Sequence, residues 1–333
     1  MTTTSRRSIL TALIGLLCIA AARAIVVPAP LHKGDCVAII SPASVPDPAY
    51  VEGAIDVLTQ WGYRPVVGRH ALTTRGTFAG SIDERLADLR WAFETDSIKA
   101  VVCSRGGYGS VQLLCELPAG YFASHPKWLI GYSDITALHS AMVTDGVACL
   151  HAHMGEYMHD HGAADSISLM LKQALSPTSI DGYTIATQPL SRLGTASGTL
   201  IGGNLSVLND ILGSRIDCTA IAGDIILFIE DTHESLQSID RMLYHLKING
   251  ILPRIKGLIV GNFKGYRPTP NYESVEQLVA AVMREYNVPI AMDFPTGHVD
   301  ANYPLIAGAP VTLEVGPEVT TLRFHIDRHI EAQ

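Results

Sequence analysis

Short apolar segments alternate with segments of helical spacing along the first half of the chain. The predicted strands cover residues 34–44, 64–67 and 98–103, and a fourth strand ends at residues 129–130. The predicted helices cover residues 50–61 and 83–93, where apolar residues recur with the period of an amphipathic helix. Strands that alternate with helices predict a parallel sheet, whose functional side chains gather at the carboxyl ends of the strands.

The pattern changes in the second half of the chain. Residues 155–194 are rich in Gly, Ser, Thr, Asp and Pro around one predicted helix at residues 166–174, so we interpret them as a linker. The elements predicted after it are strands at residues 224–229, 257–260 and 289–292, helices at residues 235–248 and 274–286, and a terminal hairpin at residues 310–315 and 319–326. The predicted organisation is an N-terminal α/β domain over residues 25–154, the linker, and a C-terminal α/β domain over residues 195–333.

Residues 1–24 have the three-part pattern of an export signal. Arg6 and Arg7 precede an apolar run at residues 9–22, and Ala22-Arg23-Ala24 supplies the small residues of a cleavage site. Paired arginines after a serine are also typical of twin-arginine signals. We therefore expect an exported protein of the periplasm or cell envelope, with a cytoplasmic location as the alternative. The apolar run is short, so no membrane span is expected after cleavage.

Composition narrows the class of protein. The chain has 333 residues, of which 47% are hydrophobic and 17% charged, as is typical of a globular protein. Its net charge of -8 comes without a basic block, so no nucleic-acid partner is expected. The cysteines after the predicted cleavage site have no C-x-x-C spacing, and they predict neither a disulfide framework nor a zinc or redox site. These cysteines are Cys36, Cys103, Cys115, Cys149 and Cys218.

The stretch from Trp128 to His139 carries the first candidate for chemistry. Its apolar run ends at Gly131, Ser133 and Asp134 follow, and a segment of helical spacing then begins. This pattern predicts a strand, a tight turn and a helix. A serine at such a turn is lifted out of the sheet beside the next backbone N–H, as a nucleophile requires. Helix capping by Ser133 or Asp134 is the alternative.

Two glycine turns also follow predicted strands. Gly106 and Gly107 come soon after the strand that ends at residue 103, and adjacent glycines let backbone N–H groups approach an anionic atom. A plain tight turn is the alternative. Gly202 and Gly203 precede Asn204, whose amide could orient a substrate.

An acid and a histidine complete a candidate catalytic set. Glu230 ends an apolar strand, where it could orient a histidine or interact favourably with a helix dipole. His298 lies in a loop bounded by Pro295 and Gly297. A serine nucleophile needs a neutral imidazole, and the imidazole needs a carboxylate to fix its tautomer. Ser133, Glu230 and His298 therefore form a candidate set of nucleophile, orienter and base.

Several motifs, in order along the chain, resemble one enzyme family. They are FAGSIDERLADLR at residues 78–90, SRGGYG at 104–109, IGYSDIT at 130–136, GGNL at 202–205 and FIED at 228–231. The set resembles the LD-carboxypeptidases of murein recycling, a family that also contains the microcin-immunity serine peptidases. The resemblance implies a flavodoxin-like parallel-sheet domain followed by a swivelling-type α/β domain with a terminal hairpin.

The resemblance also implies roles for individual residues. Ser133 is the expected nucleophile, His298 the general base and Glu230 the residue that orients it. The backbone N–H groups of Gly107, in the Gly106-Gly107 turn, and of Asp134 are expected to form the oxyanion hole.

The expected substrate is a murein tetrapeptide or a related small peptide, which loses its terminal D-Ala from the L-centre of a diamino acid. Substrate contacts are expected from Arg105, Gly106, Tyr108 and Asn204. Arg105 and Arg241 are candidates for binding the terminal carboxylate that a carboxypeptidase must recognise. Neither a cofactor nor a metal is expected. The protein is expected to form a homodimer.

Some features permit a different substrate or a different function. The family usually has His-Gly-Pro where this chain has residues 150–153, and Val299 replaces a glycine after His298, which affects loop geometry and substrate choice. A cluster of histidines consists of His151, His153, His159 and His161. It could hold a metal, although we favour the interpretation that these residues line the substrate site or lie on a loop surface. Hydrolysis of peptidyl-nucleotides, or non-catalytic capture of a small ligand by an exported protein, would also be compatible with the sequence.

Overall fold

The computed structural model describes residues 25–326, which fold into two β-sheets with helices on their faces. The predicted export signal at residues 1–24 lies outside the described residues. Within the described range, no helix is both long enough and apolar enough to cross a membrane.

The strands and helices are short. The strands are β1 (Cys36–Ile40), β2 (Arg64–Val67), β3 (Ile98–Cys103), β4 (Trp128–Gly131), β5 (Cys149–His151), β6 (Gly182–Ala186), β7 (Gly194–Asn204), β8 (Ile225–Thr232), β9 (Ile255–Lys264), β10 (Ile290–Ala291), β11 (Leu305–Ala307), β12 (Pro310–Val315) and β13 (Val319–Phe324). The helices are α1 (Pro48–Gln60), α2 (Ile82–Glu94), α3 (Ser110–Leu114), α4 (Tyr121–Ser124), α5 (Thr136–Thr144), α6 (Gly155–His161), α7 (Ser166–Leu175), α8 (Leu205–Asp210), α9 (Leu236–Ile248) and α10 (Val275–Val282).

The first sheet has the strand order β2-β1-β3-β4-β5-β11. Strands β1 to β5 run parallel, and β11 pairs antiparallel with β5. The order β2-β1-β3-β4-β5 is that of flavodoxin-like sheets. Central strand β4 is buried at every position, as expected for a parallel strand covered on both faces. This part of the predicted fold class is confirmed, with an added edge strand from the distant C-terminal half.

The second sheet has the order β10-β9-β8-β7-β12-β13-β6. Strands β7 to β10 are parallel, whereas β12, β13 and β6 extend the sheet in antiparallel pairs. The predicted terminal hairpin is therefore present as β12 and β13. The chain has two α/β sheets, as the sequence predicted.

The predicted linker is more structured than its composition indicated. Besides the predicted helix, found as α7, residues 155–194 contain α6, β6 and the start of β7. Tyr183 is the one fully buried residue of β6, so this edge strand lacks the apolar run by which strands are predicted. Strand β11 was also missed, because its three residues between Pro304 and Gly308 are too few to show a period.

Helix α5 connects the two sheets. Eight of its nine residues are buried, and it packs against β7 and α8. At its first residue, the Thr136 hydroxyl accepts the backbone N–H of Asn204, the last residue of β7, at 3.0 Å. Because Asn204 pairs with Glu230 on β8, this contact brings the turn before α5 next to the Glu230 strand.

Candidate active site

The turn after β4 holds Ser133 in a strained conformation. Tyr132 is extended, and Ser133 has a φ of 61°, in the left-handed region that residues other than glycine seldom adopt. A short 3-10 turn (Ser133–Ile135) then leads into α5. The Ser133 hydroxyl is thereby held where side chains from other loops reach it.

Helix capping does not explain the polar residues of this turn. Neither the 3-10 turn nor α5 has a side-chain cap at its start. The Asp134 carboxylate instead accepts the backbone N–H of Ser110 at 2.8 Å, and the Ser110 hydroxyl donates to the Asp134 carbonyl at 2.6 Å. Asp134 thus ties the turn to the start of neighbouring α3, and it does not cap its own helix.

Glu230 and His298 meet on the other side of the turn. Glu230 is fully buried on β8, and its Oε2 lies 2.7 Å from His298 Nδ1. The preceding Gly297 has a φ of 113°, and its N–H donates to Asn302 Oδ1 at 2.9 Å. A Cβ at Gly297 would lie 2.8 Å from the Cβ of Glu230, which is too close for a carbon–carbon contact. A glycine here therefore lets the His298 loop close against Glu230.

The imidazole of His298 also reaches the serine. Its Nε2 lies 3.1 Å from Ser133 Oγ. With the Nδ1 proton donated to Glu230, Nε2 is left to accept the Ser133 proton. Burial lowers the pKa of His298, but the hydrogen bond and negative charge of Glu230 outweigh burial, so the pKa is raised. The structure thus brings together the three residues that the sequence placed in separate loops.

The Gly106–Gly107 turn lies directly beside Ser133. A Cβ at Gly106 would be 3.2 Å from the Cβ of Ser133. Ser44 holds this turn, because its backbone N–H donates to the Gly106 carbonyl at 3.2 Å and its hydroxyl accepts the Tyr108 N–H at 3.1 Å. The backbone of the glycine turn is therefore fixed next to the serine hydroxyl.

An open cleft of about 350 Å³ adjoins His298. The described residues that line it are Tyr132, His153, Glu156, Tyr157, Asp160, His161, Thr232, His233, Lys264, His298, Val299 and Asp300. Its volume lies in the range of sites for small ligands. The site therefore combines a Ser-His-Glu arrangement with a cleft that suits a small molecule or the end of a short peptide.

Family models match both halves of the chain. The model described as LD-carboxypeptidase N-terminal domain matches residues 37–152, and the model described as LD-carboxypeptidase C-terminal domain matches residues 197–313. The chain belongs to the LD-carboxypeptidase family. It is therefore a hydrolase, an enzyme of the serine-type carboxypeptidase class, and the resemblance stated from its motifs is confirmed. Membership of an enzyme family also disfavours a non-catalytic binding protein.

Relatives and solved structures support this assignment. The chain is 34% identical over 303 residues to a "probable murein peptide carboxypeptidase" of Bacillus subtilis, across 89% of this chain and 93% of that protein. It is 30% identical over 285 residues to the murein tetrapeptide carboxypeptidase of Pseudomonas aeruginosa, across 84% and 92%. Its fold is similar to the crystal structure of muramoyltetrapeptide carboxypeptidase from Oxalobacter formigenes, with a TM-score of 0.78, 26% identity, and coverage of 87% and 99%.

Some predicted site residues of this LD-carboxypeptidase lie outside the lining of the cleft beside His298. The Arg105 guanidinium is exposed and donates to the Val45 carbonyl at 3.3 Å. Tyr108 is 57% exposed, with its ring 5.2 Å from that of Phe78. Arg241 lies on the exposed side of α9. None of Arg105, Tyr108 and Arg241 lines the cleft beside His298.

Asn204, which was predicted to contact the substrate, has its side chain hydrogen-bonded within the protein. Its Oδ1 accepts the Val207 N–H at 3.2 Å and so caps α8, and it also accepts the Ser206 hydroxyl at 2.8 Å. Its Nδ2 donates to Asp231 Oδ1 at 2.9 Å, and the residue is buried. Asn is a favoured residue before the first turn of a helix, which explains its place after the glycine pair. A substrate contact by Asn204 stays a prediction.

The four histidines of the predicted cluster occupy different positions in the structure. His153 and His161 line the cleft, where their rings stack on Tyr157 with centroids 3.5 and 3.9 Å apart. His151 is buried in β5, and His159 packs on α1. Across residues 25–326, no three His, Cys, Asp or Glu side chains come together as metal ligands would. A metal site therefore lacks a ligand set among these residues.

Tyr132 and Lys264 are among the cleft residues that were not singled out from the sequence. The ring of Tyr132 lies 5.0 Å from that of His298 and 5.8 Å from that of His153. Its position beside Ser133 in the IGYSDIT motif is the sequence signal that could have identified Tyr132. Lys264 was missed because the predicted strand stopped at residue 260, whereas β9 continues to Lys264.

Proposed function

We propose that this enzyme hydrolyses the bond between a terminal D-Ala and the L-centre of a diamino acid in murein tetrapeptides. The observation that carries the proposal is the contact chain from Ser133 Oγ to His298 Nε2 at 3.1 Å and from His298 Nδ1 to Glu230 Oε2 at 2.7 Å. The relatives named as murein peptide and murein tetrapeptide carboxypeptidases support the substrate class.

The first half of the proposed reaction forms an acyl-enzyme. Ser133 Oγ attacks the carbonyl carbon of the scissile bond while His298 Nε2 takes its proton, and Glu230 stabilises the resulting imidazolium. The oxyanion of the tetrahedral intermediate accepts the N–H groups of Gly107 and Asp134. The C–N bond then breaks as His298 gives the proton to the D-Ala nitrogen, which leaves the peptide esterified to Ser133.

The second half of the reaction releases the peptide. His298 takes a proton from water, and the water oxygen attacks the ester carbonyl carbon. The bond to Ser133 Oγ breaks as His298 returns the proton to that oxygen, and a tripeptide with a new carboxyl group leaves. Groups on this chain and one water molecule account for every proton and bond in the two steps.

The proposal is tested with purified protein and murein tetrapeptide, with mass spectrometry as the readout. We expect free D-Ala and tripeptide in equal amounts, and the same rate after exhaustive chelation of metal ions. A His298→Ala variant should lose kcat by on the order of 10³–10⁶ with its fold intact. The control is His32→Ala, because His32 is exposed.

Different failures contradict different parts of the proposal. A wild-type enzyme that leaves the tetrapeptide intact but cleaves a peptidyl-nucleotide would show that the substrate is wrong. A His298→Ala variant with an undiminished rate would show that the base is wrong. Loss of activity on chelation would favour a catalytic metal.

We also propose export to the periplasm or cell envelope and assembly as a homodimer. The pattern of residues 1–24 supports export, and the family resemblance supports the dimer. Sequencing the N-terminus of the protein from fractionated cells would test export, with Ile25 expected as the first residue. Light scattering of the purified enzyme would test the dimer, and a monomer mass would contradict it.

A further inference from the structure

The charges around the cleft are unevenly arranged. Glu156 and Asp160 enter it from α6, and Asp300 enters from the loop after His298. Lys264 enters from the end of β9, and among the described residues that line the cleft it is the one Lys or Arg. A carboxylate is repelled by the three acids and attracted by an ammonium group. A substrate carboxylate in this cleft is therefore favoured on the Lys264 side.

The backbone places Lys264 at the edge of the sheet that carries Glu230. In the parallel register of β8 and β9, Lys264 pairs with Thr232, two residues beyond Glu230. The Lys264 carbonyl accepts the His233 N–H at 2.7 Å, which fixes the base of the side chain. Lys264 therefore lies at the same end of the second sheet as Glu230.

The Lys264 ammonium is electrostatically coupled to the site. Burial lowers the pKa of His298, Glu230 raises it, and the positive charge of Lys264 lowers it. Lys264 is exposed, and it forms no ion pair with an acid among residues 25–326. Lys264 therefore lines the same cleft as the imidazole, and its charge is available to a ligand.

The other candidate cations are less suitable. Arg105 already donates to the Val45 carbonyl. It also lies near Tyr50, whose hydroxyl donates to Glu156, so a carboxylate at Arg105 would approach the acidic side of the cleft. Arg241 lies on α9, outside the lining.

We propose that Lys264 binds the terminal carboxylate of the D-amino acid that leaves during hydrolysis. This proposal rests on the function proposed above. It adds the feature that restricts hydrolysis to the C-terminal residue of a peptide. Binding at Lys264 anchors the last residue at one end of the cleft, with the preceding carbonyl carbon presented to Ser133. A peptide whose C-terminal carboxyl group is blocked lacks the charge that Lys264 recognises.

The test compares two substrates, the murein tetrapeptide and the same peptide with a C-terminal amide. We expect wild type to prefer the free acid. Lys264→Ala should lower kcat/KM for the acid by about ten- to a hundredfold more than kcat/KM for the amide, mainly through KM. Lys264→Arg should restore most of the preference. The matched control is Lys256→Ala, at the opposite end of β9, where Lys256 is 51% exposed and 3.7 Å from Asp224.

Three results would overturn the proposal. An equal loss on acid and amide would show that Lys264 acts on the imidazole or the fold and not on the carboxylate. A Lys264→Ala variant that keeps the wild-type preference would place the carboxylate elsewhere. A wild-type enzyme that cleaves neither peptide would overturn the proposed function and, with it, this role of Lys264, whereas the first two results leave the function standing.

Discussion

Among single residues, His298 determines how the proposed reaction depends on pH. Its imidazole must be neutral to take the Ser133 proton, so kcat/KM falls as the pH drops through the pKa of His298 in the free enzyme. Burial lowers this pKa, and the hydrogen bond and charge of Glu230 raise it by more. The acidic limb of the pH profile should therefore lie above the ordinary histidine value of about 6.5.

The variant Glu230→Gln tests this assignment. Removal of the negative charge lowers the pKa of His298, so the acidic limb should move to lower pH. The maximal rate should fall by on the order of 10²–10⁴, because the imidazolium loses its stabilising partner. The measurement is kcat/KM from about pH 5 to about pH 9. Glu314→Gln is the control, since Glu314 is exposed on β12, and an unmoved limb in Glu230→Gln would assign the titration to another group.

Among the secondary-structure elements, those with strong patterns could be predicted from the sequence. Strands β2 and β3 have the predicted bounds, because each is an apolar or β-branched segment with clear ends. Ser133, Glu230 and His298 could be singled out because polar residues at or after the carboxyl ends of buried parallel strands are typical of functional sites. That β4 of the first sheet and β8 of the second sheet bring these residues together could not be predicted.

The ends of elements that depend on pairing with distant strands could not be predicted. Strand β9 continues past Gly261 and Asn262 to Lys264, because its last residues pair with the end of β8 across a register shift. No apolar period marks that extension, so Lys264, the one lysine among the described residues that line the cleft, was missed. The helix-capping position of Asn204 could not be predicted for a related reason, since its buried partner Asp231 lies on the neighbouring strand.

The loop that carries His298 supplies a prediction of its own. Gly297→Ala places a Cβ 2.8 Å from that of Glu230 on a residue with a φ of 113°, so the loop must shift. We expect kcat to fall by about tenfold or more and the free energy of unfolding to fall by about 1–3 kcal/mol. Steady-state kinetics and urea unfolding provide the two measurements.

Gly223→Ala is the matched control for this loop. Gly223 also has a positive φ, of 93°, but apart from its chain neighbours no atom of residues 25–326 lies within 4 Å of its added Cβ. It should lose stability without losing activity. Equal kinetic effects in the two variants would show that the contact with Glu230 does not position His298.

For the molecule as a whole, the site depends on two sheets meeting correctly. Ser133 belongs to the first sheet's turn, whereas Glu230 and His298 belong to the second sheet and its loops.

Buried histidines also lie near the contact between the two sheets, on α5, β5 and the segment after β5. Burial lowers the pKa values of His139 and His153 to about 4 and that of His151 well below its usual range.

These histidines should make the fold sensitive to acid. In the unfolded chain they bind protons near pH 6.5, whereas in the folded state His139 and His153 bind protons only near pH 4 and the pKa of His151 is also well below its usual range, so stability falls as the pH drops below about 6.5. Each contributes at most about 1.4 kcal/mol per pH unit.

The variant His151→Leu tests the source of this sensitivity. Neither ring nitrogen of His151 has a hydrogen-bond partner among the described residues, so leucine removes the titration without removing a bond. Urea unfolding at several pH values should show a shallower loss of stability in acid. His32→Leu, at an exposed site, should keep the wild-type slope. An unchanged slope in His151→Leu would show that other groups cause the sensitivity.

The decisive measurement is the covalent intermediate on Ser133. Enzyme mixed with murein tetrapeptide is quenched in acid within milliseconds, digested and analysed by mass spectrometry, alongside a Ser133→Ala variant. We expect the peptide that contains Ser133 to gain the mass of the tripeptide acyl group, and the variant to show neither this adduct nor D-Ala release. Release of D-Ala by Ser133→Ala at the wild-type rate would contradict the assignment of Ser133 as the nucleophile.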